Sequence, residues 1–242
     1  MSYKQVSLVF CGYMGIIMSS YLLLSLLFGL SYGSSEFVAW RLPFSALATL
    51  LVIIFSWRNK KRLAYRFPVK QKLSFWGIGI VLPFLIVGFF WLKHFTFSWP
   101  FLVPILTTIL VGLGEEFLFR EIMLSVFLSK MPIPKAILFS SMVFGLSHLV
   151  ALLGGSPLKQ VLIQVLLATL MGVFYGFLYL LTQRIGLLAL DHFFWDYMLV
   201  GGALRHYPLI AFVIPILLIL RIIMIIVMVV FSKREVSHEA ID

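Results

Sequence analysis

The chain has 242 residues, of which 62% are hydrophobic and 12% are charged, and its net charge is +10 at pH 7. Soluble domains are about 45–50% apolar, so this composition excludes an ordinary water-soluble protein and indicates a polytopic membrane protein. The single cysteine, Cys11, excludes an intrachain disulfide and a thiolate metal cluster.

Apolar segments that are long enough to cross a bilayer recur along the chain between short polar breaks. About 20 helical residues cross a hydrocarbon layer of about 30 Å. The sequence therefore predicts an all-α polytopic membrane protein with about eight transmembrane helices that enclose a polar intramembrane cavity. The predicted spans are residues 6–30, 37–57, 73–92, 101–126, 136–153, 158–182, 187–200 and 209–231.

The positive charge is concentrated in one loop, between the second and third predicted spans, which holds Arg58, Lys60, Lys61, Arg62, Arg66, Lys70 and Lys72. Membrane proteins carry such an excess on the cytoplasmic side. Both termini are then predicted to be cytoplasmic, and the lipid bilayer is an expected partner, whereas nucleic acid is not. The opposite side holds few cations, namely Arg41, Lys93, Lys159 and Arg205.

Ionisable side chains within the predicted spans are the candidate functional residues. A charged side chain at the bilayer centre costs at least about 2.5–3.5 kcal/mol on insertion scales. Glu116 and Arg120 are four residues apart and can pair on one helix face, whereas Glu115 points about 100° away and can present its carboxyl group to a cavity. A buried ion pair that only fixes helix packing is the alternative for Glu116 and Arg120.

Two other predicted spans also bring polar residues to the membrane interior. His148 lies in one of them, where a lone histidine is usually a packing residue. His192 and Asp196 lie four residues apart in the other span, so their side chains can both contact one atom or contact each other. Asp191 faces elsewhere and is interpreted as structural. Arg221, in the last span, is expected to pair with Asp191 or Asp196.

Three motifs follow one another along the chain: EEFLFR begins at Glu115, FGLSH ends at His148, and HFFWD runs from His192 to Asp196. They resemble the EExxxR, FxxxH and HxxxD motifs of the CPBP family of intramembrane proteases, which includes CAAX prenyl endopeptidases and bacterial self-immunity proteins. The resemblance covers about residues 100–200 and implies a protease core inside a single membrane domain of residues 1–242. It implies an endopeptidase that hydrolyses a peptide bond of a membrane-associated peptide or protein.

The resemblance assigns a role to each motif residue. Glu115 is expected to be the general base that activates water, and His148 is expected to orient that water. Glu116 and Arg120 are expected to support this base electrostatically. His192 and Asp196 are expected to bind the scissile carbonyl. The family has asparagine or aspartate at the last position, and an ionised aspartate cannot donate a hydrogen bond to an oxyanion. Asp196 must therefore be protonated, orient His192 or bind a metal.

The need for a metal stays open at this point. Glu115, His148 and His192 offer the oxygen and nitrogen ligands of a divalent metal such as zinc, but the short HExxH spacing is absent.

Residue counting puts Glu115 nearer the cytoplasmic end of its span and His148 nearer the outer end of its own, a mismatch in depth on the order of 10 Å.

Two other functions compete with the protease. The first is a non-catalytic immunity or regulatory protein that acts by binding another membrane protein. The second, a proton-coupled transporter, usually shows repeated halves with broken helices, and no such symmetry is visible.

The small size and short loops, by analogy with the family, favour a multi-pass protein of a bacterial plasma membrane.

Overall fold

The computed structural model describes residues 2–63, 77–200 and 208–239. These ranges contain helices and no β-strand, which confirms the all-α class. The α-helices are α1 (Tyr3–Leu22), α2 (Ser35–Trp40), α3 (Leu42–Leu63), α4 (Gly77–His94), α5 (Trp99–Glu116), α6 (Ser125–Leu128), α7 (Ile133–Ser147), α8 (Leu158–Thr182), α9 (Ile185–Val200) and α10 (Pro208–Glu239).

Six helical stretches within the described ranges are long and apolar enough to cross a membrane. They are Tyr3–Leu27, Leu42–Leu63, Trp99–Leu128, Ile133–Gly154, Leu158–Thr182 and Ala211–Val229. The other two predicted spans, 73–92 and 187–200, correspond to α4 and α9, while residues 73–76 lie outside the described part of the chain. In the described part of the chain α9 has 16 residues and α4 has 18, both shorter than the roughly 20 residues that a bilayer requires. The chain is thus a multi-pass membrane protein, and the count of eight spans is not confirmed.

Local hydrogen bonding explains where the first helices begin and end. Helix α1 starts before residue 6 because Ser2 and Gln5 form a capping box, in which each side chain bonds the backbone of the other residue. The predicted span 37–57 is divided at Arg41 into α2 and α3. Helix α3 then continues to Leu63, and its last turn carries basic residues, which the negative end of the helix dipole favours.

A π-helical segment interrupts the span that carries the first motif. Helix α5 ends at Glu116, residues Phe117–Leu124 are π-helical, and α6 completes the stretch Trp99–Leu128. Turns of this kind occur frequently at functional sites. The EExxxR motif therefore lies at the junction between two helical geometries, with Arg120 inside the π-helical segment.

Two glycines bring the neighbouring helices close to the first motif. A Cβ atom at Gly112 would lie 3.0 Å from the carbonyl oxygen of Ala189 on α9. A Cβ atom at Gly114 would lie 2.7 Å from Thr49 Oγ1 on α3. Because only glycine permits such close approach, α5 packs tightly between α3 and α9 where Glu115 begins the motif.

Candidate active site

Glu116 joins the first and third motifs. Its side chain is fully buried, with Oε1 2.7 Å from His192 Nδ1 and Oε2 3.1 Å from Arg120 Nε. The expected pairing of Glu116 with Arg120 is therefore present, and α9 supplies a second partner. Since a carboxylate only accepts hydrogen bonds, His192 donates from Nδ1, which leaves Nε2 for the cavity side of the ring.

The positive charge of Arg120 balances the negative charge of the Glu116 carboxylate. Its guanidinium carbon lies 4.4 Å from the centroid of the Phe144 ring and 5.5 Å from that of Tyr175. The guanidinium nitrogens are buried and make no aligned hydrogen bond with the described residues, so the charge is stabilised by Glu116 and by the aromatic faces. Arg120 thus faces Glu116 and the aromatic rings, and it does not line the two cavities described below.

Glu115 has a different environment from its neighbour. It lines a cavity of about 100 Å³ together with His148 and Asp196. Its Oε2 atom lies 3.6 Å from His192 Nε2, has no hydrogen-bond partner among the described residues and is buried. As the helical spacing predicted, Glu116 takes Arg120 and Glu115 faces the cavity.

His148 lines the same cavity as Glu115 and Asp196. Its Nδ1 atom lies 3.0 Å from the carbonyl oxygen of Phe144, and its ring meets the Phe144 ring edge to face at 5.1 Å between centroids. A carbonyl oxygen only accepts, so Nδ1 carries a proton and Nε2 is the ring nitrogen that this contact leaves available. His148 also lines a second cavity of about 280 Å³ with His192 and Asp196.

His192 is held between a stacked ring and two carboxylates. Its ring stacks on Tyr175 with 5.4 Å between centroids and 21° between planes. Besides the contact with Glu115, its Nε2 atom lies 3.6 Å from Asp196 Oδ1. At this distance the carboxylate of Asp196 is a charged neighbour of the His192 ring and makes no hydrogen bond with it.

The predicted metal ligands do not assemble. Among residues 2–63, 77–200 and 208–239, no group of three or more His, Cys, Asp or Glu side chains is arranged to hold a metal ion. Glu115 and His192 approach each other, but no salt bridge or hydrogen bond joins Glu115 to His148 in this part of the chain. Three ligands of one zinc ion would each lie about 2.0–2.2 Å from it. The set of Glu115, His148 and His192 therefore does not fit a metal in this geometry.

A second buried ion pair lies behind His192. Both carboxylate oxygens of Asp191 contact Arg221 Nη2, at 3.0 and 2.9 Å, and Tyr175 donates its hydroxyl to Asp191 at 2.8 Å. Arg221 thus pairs with Asp191 and not with Asp196, which supports the structural interpretation of Asp191. The pair fastens α10 to α9 beside the ring that stacks on His192.

Three residues that contact the site were not predicted from the sequence. Tyr175 supports His192 from α8, where it is one aromatic residue within a long apolar stretch. Tyr13 and Arg41 line the cavity with Glu115. Tyr13 gave no sequence signal because it lies in the apolar first span, whereas Arg41 was recognisable only as a rare cation on the side opposite the basic loop.

Comparison with known proteins supports the resemblance that the three motifs carry. Residues 97–198 match the family model described as Type II CAAX prenyl endopeptidase Rce1-like. No curated protein and no solved structure matches the chain. The matched stretch contains all three motifs, whereas Tyr13, Arg41 and Arg221 lie outside it. This match supports the CPBP/CAAX protease family for residues 97–198.

Proposed function

We propose that this protein is an intramembrane endopeptidase that hydrolyses a peptide bond of a membrane-associated peptide or protein with water activated by Glu115. The observation that carries the proposal is the unequal environment of two adjacent carboxylates. Glu116 is committed to Arg120 and His192. Glu115 keeps a free oxygen beside His192 and faces the cavity.

In the first step Glu115 acts as general base. It takes a proton from water while the water oxygen attacks the scissile carbonyl carbon, so that a C–O bond forms and the carbonyl oxygen becomes an oxyanion. The lone pair on His148 Nε2 accepts the second hydrogen of that water and orients it. Both residues line the same small cavity, which supports this division of roles.

His192 stabilises the oxyanion by donating from Nε2 when its ring is protonated. Glu116 holds the other ring nitrogen at 2.7 Å and Asp196 lies 3.6 Å from Nε2, so negative charge compensates the imidazolium on both sides. Preorganised donors of this kind act strongly because little water surrounds them. Asp196 thus acts on His192 through its charge and does not need to donate a hydrogen bond itself.

The intermediate then collapses. The C–N bond breaks as the proton held by Glu115 moves to the leaving nitrogen, which gives a carboxylic acid and an amine. Proton exchange with water then yields the carboxylate and the ammonium. Arg120 takes part through Glu116, whose charge it balances within a fully buried pair. The catalytic cycle ends with Glu115 ionised, as it began.

The proposal is tested by replacing Glu115 with glutamine, which preserves shape and removes the base. A general base contributes about 10²–10⁴-fold, so proteolysis by Glu115→Gln should fall by at least about 100-fold. Thermal unfolding in detergent should remain unchanged. The matched control is Glu121→Gln, because Glu121 lies on the same span and accepts a hydrogen bond from Ser56 instead of facing the cavity.

Comparative peptidomics of membranes supplies the readout, since the natural substrate is unknown. Peptides that appear with the wild-type protein and with Glu121→Gln, but not with Glu115→Gln, would support the proposal. If the wild type and Glu115→Gln yield the same peptides, the endopeptidase proposal fails. The immunity or regulatory alternative, in which the protein acts by binding, would then be favoured.

A further inference from the structure

The cavity around Glu115 extends toward one end of α3. Its lining includes Tyr32 and Arg41, which precede α3, and Gln164 near the start of α8. Helix α3 has 22 residues, so its basic last turn lies about 30 Å from Arg41. This part of the cavity lining therefore lies at the end of α3 opposite the basic residues.

Arg41 is held at this end of the cavity in a defined orientation. Its backbone N–H bonds the carbonyl oxygen of Phe37 at 3.0 Å, and its guanidinium carbon lies 5.1 Å from the centroid of the Tyr21 ring. Beside it, Gln164 donates a hydrogen bond of 3.0 Å to the Tyr32 hydroxyl. The aromatic face of Tyr21 thus fixes the plane of the guanidinium next to other polar groups of the cavity.

The charge of Arg41 differs from the other site cations in having no acid beside it. Arg120 and Arg221 pair with Glu116 and Asp191 at 3.1 and 2.9 Å. Within the described residues no carboxylate lies within 4.0 Å of Arg41, and its Nε atom is buried without a hydrogen-bond partner. A desolvated donor without an acceptor costs free energy, which an incoming anion would offset.

We propose that Arg41 forms a subsite for a carboxylate group of the substrate, next to the scissile bond. This inference rests on the proposed endopeptidase function and names a feature of its substrate. A guanidinium presents a planar fork of donors that matches a carboxylate. The cavity of about 100 Å³ is lined by both Arg41 and Glu115.

Two sources can supply the carboxylate, the C-terminus of the substrate or an aspartate or glutamate side chain close to the scissile bond. A third reading gives Arg41 no ligand: its charge balances Glu115 and Asp196, which line the same cavity. Charge balance would affect every substrate equally. A carboxylate subsite affects only those that carry the acid.

The test measures binding of three fluorescein-labelled hexapeptides of leucine and alanine to the purified full-length protein in detergent. The peptides end in a free carboxylate, in an amide, or in an aspartate followed by an amide. Glu115→Gln protein is used throughout to prevent cleavage. Arg41→Gln is introduced into it, and Lys61→Gln, an exposed cation at the other end of α3, is the matched control.

At least one acidic peptide should bind about tenfold more tightly than the plain amide, as expected for a charge-assisted hydrogen bond. Arg41→Gln should abolish that difference and Lys61→Gln should preserve it. The peptide that shows the preference identifies the source of the carboxylate. Equal binding of all three peptides, binding of none, a preference that survives Arg41→Gln, or an equal change for all three would overturn the proposal.

This assay is independent of turnover, so its failure can be told apart from failure of the endopeptidase. An Arg41-dependent preference without Glu115-dependent peptides would assign the subsite to a binding protein. Glu115-dependent peptides without that preference would leave the endopeptidase standing and refute the role of Arg41.

Discussion

The pair of Asp191 and Arg221 allows a quantitative prediction. Both side chains are at most 1% exposed. Arg221 contacts both oxygens of Asp191, the Tyr175 hydroxyl at 3.3 Å and the Met171 sulfur at 3.1 Å, and its guanidinium carbon lies 4.6 Å from the centroid of the Trp195 ring. Its removal would leave a buried carboxylate with the Tyr175 hydroxyl as its remaining described partner.

Removing one partner of a buried ion pair costs about 3–5 kcal/mol, whereas replacing both partners by apolar residues of similar volume is often neutral. We therefore expect Arg221→Met to lower the free energy of unfolding by about 3–5 kcal/mol. Asp191→Leu should lower it by a similar amount, because it strands the arginine. The double variant should recover most of the loss.

The assay is thermal unfolding in detergent micelles together with the cleavage assay. Because Tyr175 stacks on His192 and donates to Asp191, the double variant should recover stability but lose activity. Equal destabilisation of the single and double variants would refute the ion-pair argument. Full activity in a stable double variant would refute the link from Asp191 through Tyr175 to His192.

Two further predictions concern packing and orientation. Gly112→Ala should destabilise the protein by about 1–3 kcal/mol and reduce cleavage, because its Cβ atom would press on the Ala189 carbonyl. The control is Gly15→Ala, since a Cβ atom at Gly15 meets nothing within 4 Å. Equal melting temperatures of the two variants would contradict the expectation. Both termini should be cytoplasmic, so a C-terminal green fluorescent protein fusion should fluoresce and a C-terminal alkaline phosphatase fusion should be inactive, with the opposite result reversing the topology.

The pairing of Glu116 with Arg120 was predictable from their spacing along the chain. Glu116 and Arg120 pair within one span, and Glu115 points away from them, as the geometry of successive helical residues requires. Arg221 was expected to meet an acid of the preceding span, since an unpaired arginine in lipid is costly. The choice of Asp191 over Asp196 depended on the packing of α10 against α8 and α9.

The sequence by itself determined the membrane class, the helical fold, most of the spans and the polar side chains in them, because apolar length and side-chain spacing are local properties. Only the tertiary structure decided that Glu116 meets His192, that Tyr175 supports this ring and that Arg41 faces the cavity with Glu115. These contacts join different helices, and their geometry depends on how closely glycines let the helices approach. Residue counting put Glu115 and His148 at different depths, yet both line one cavity, because depth in a bundle follows from the packing of helices and not from position along a single span.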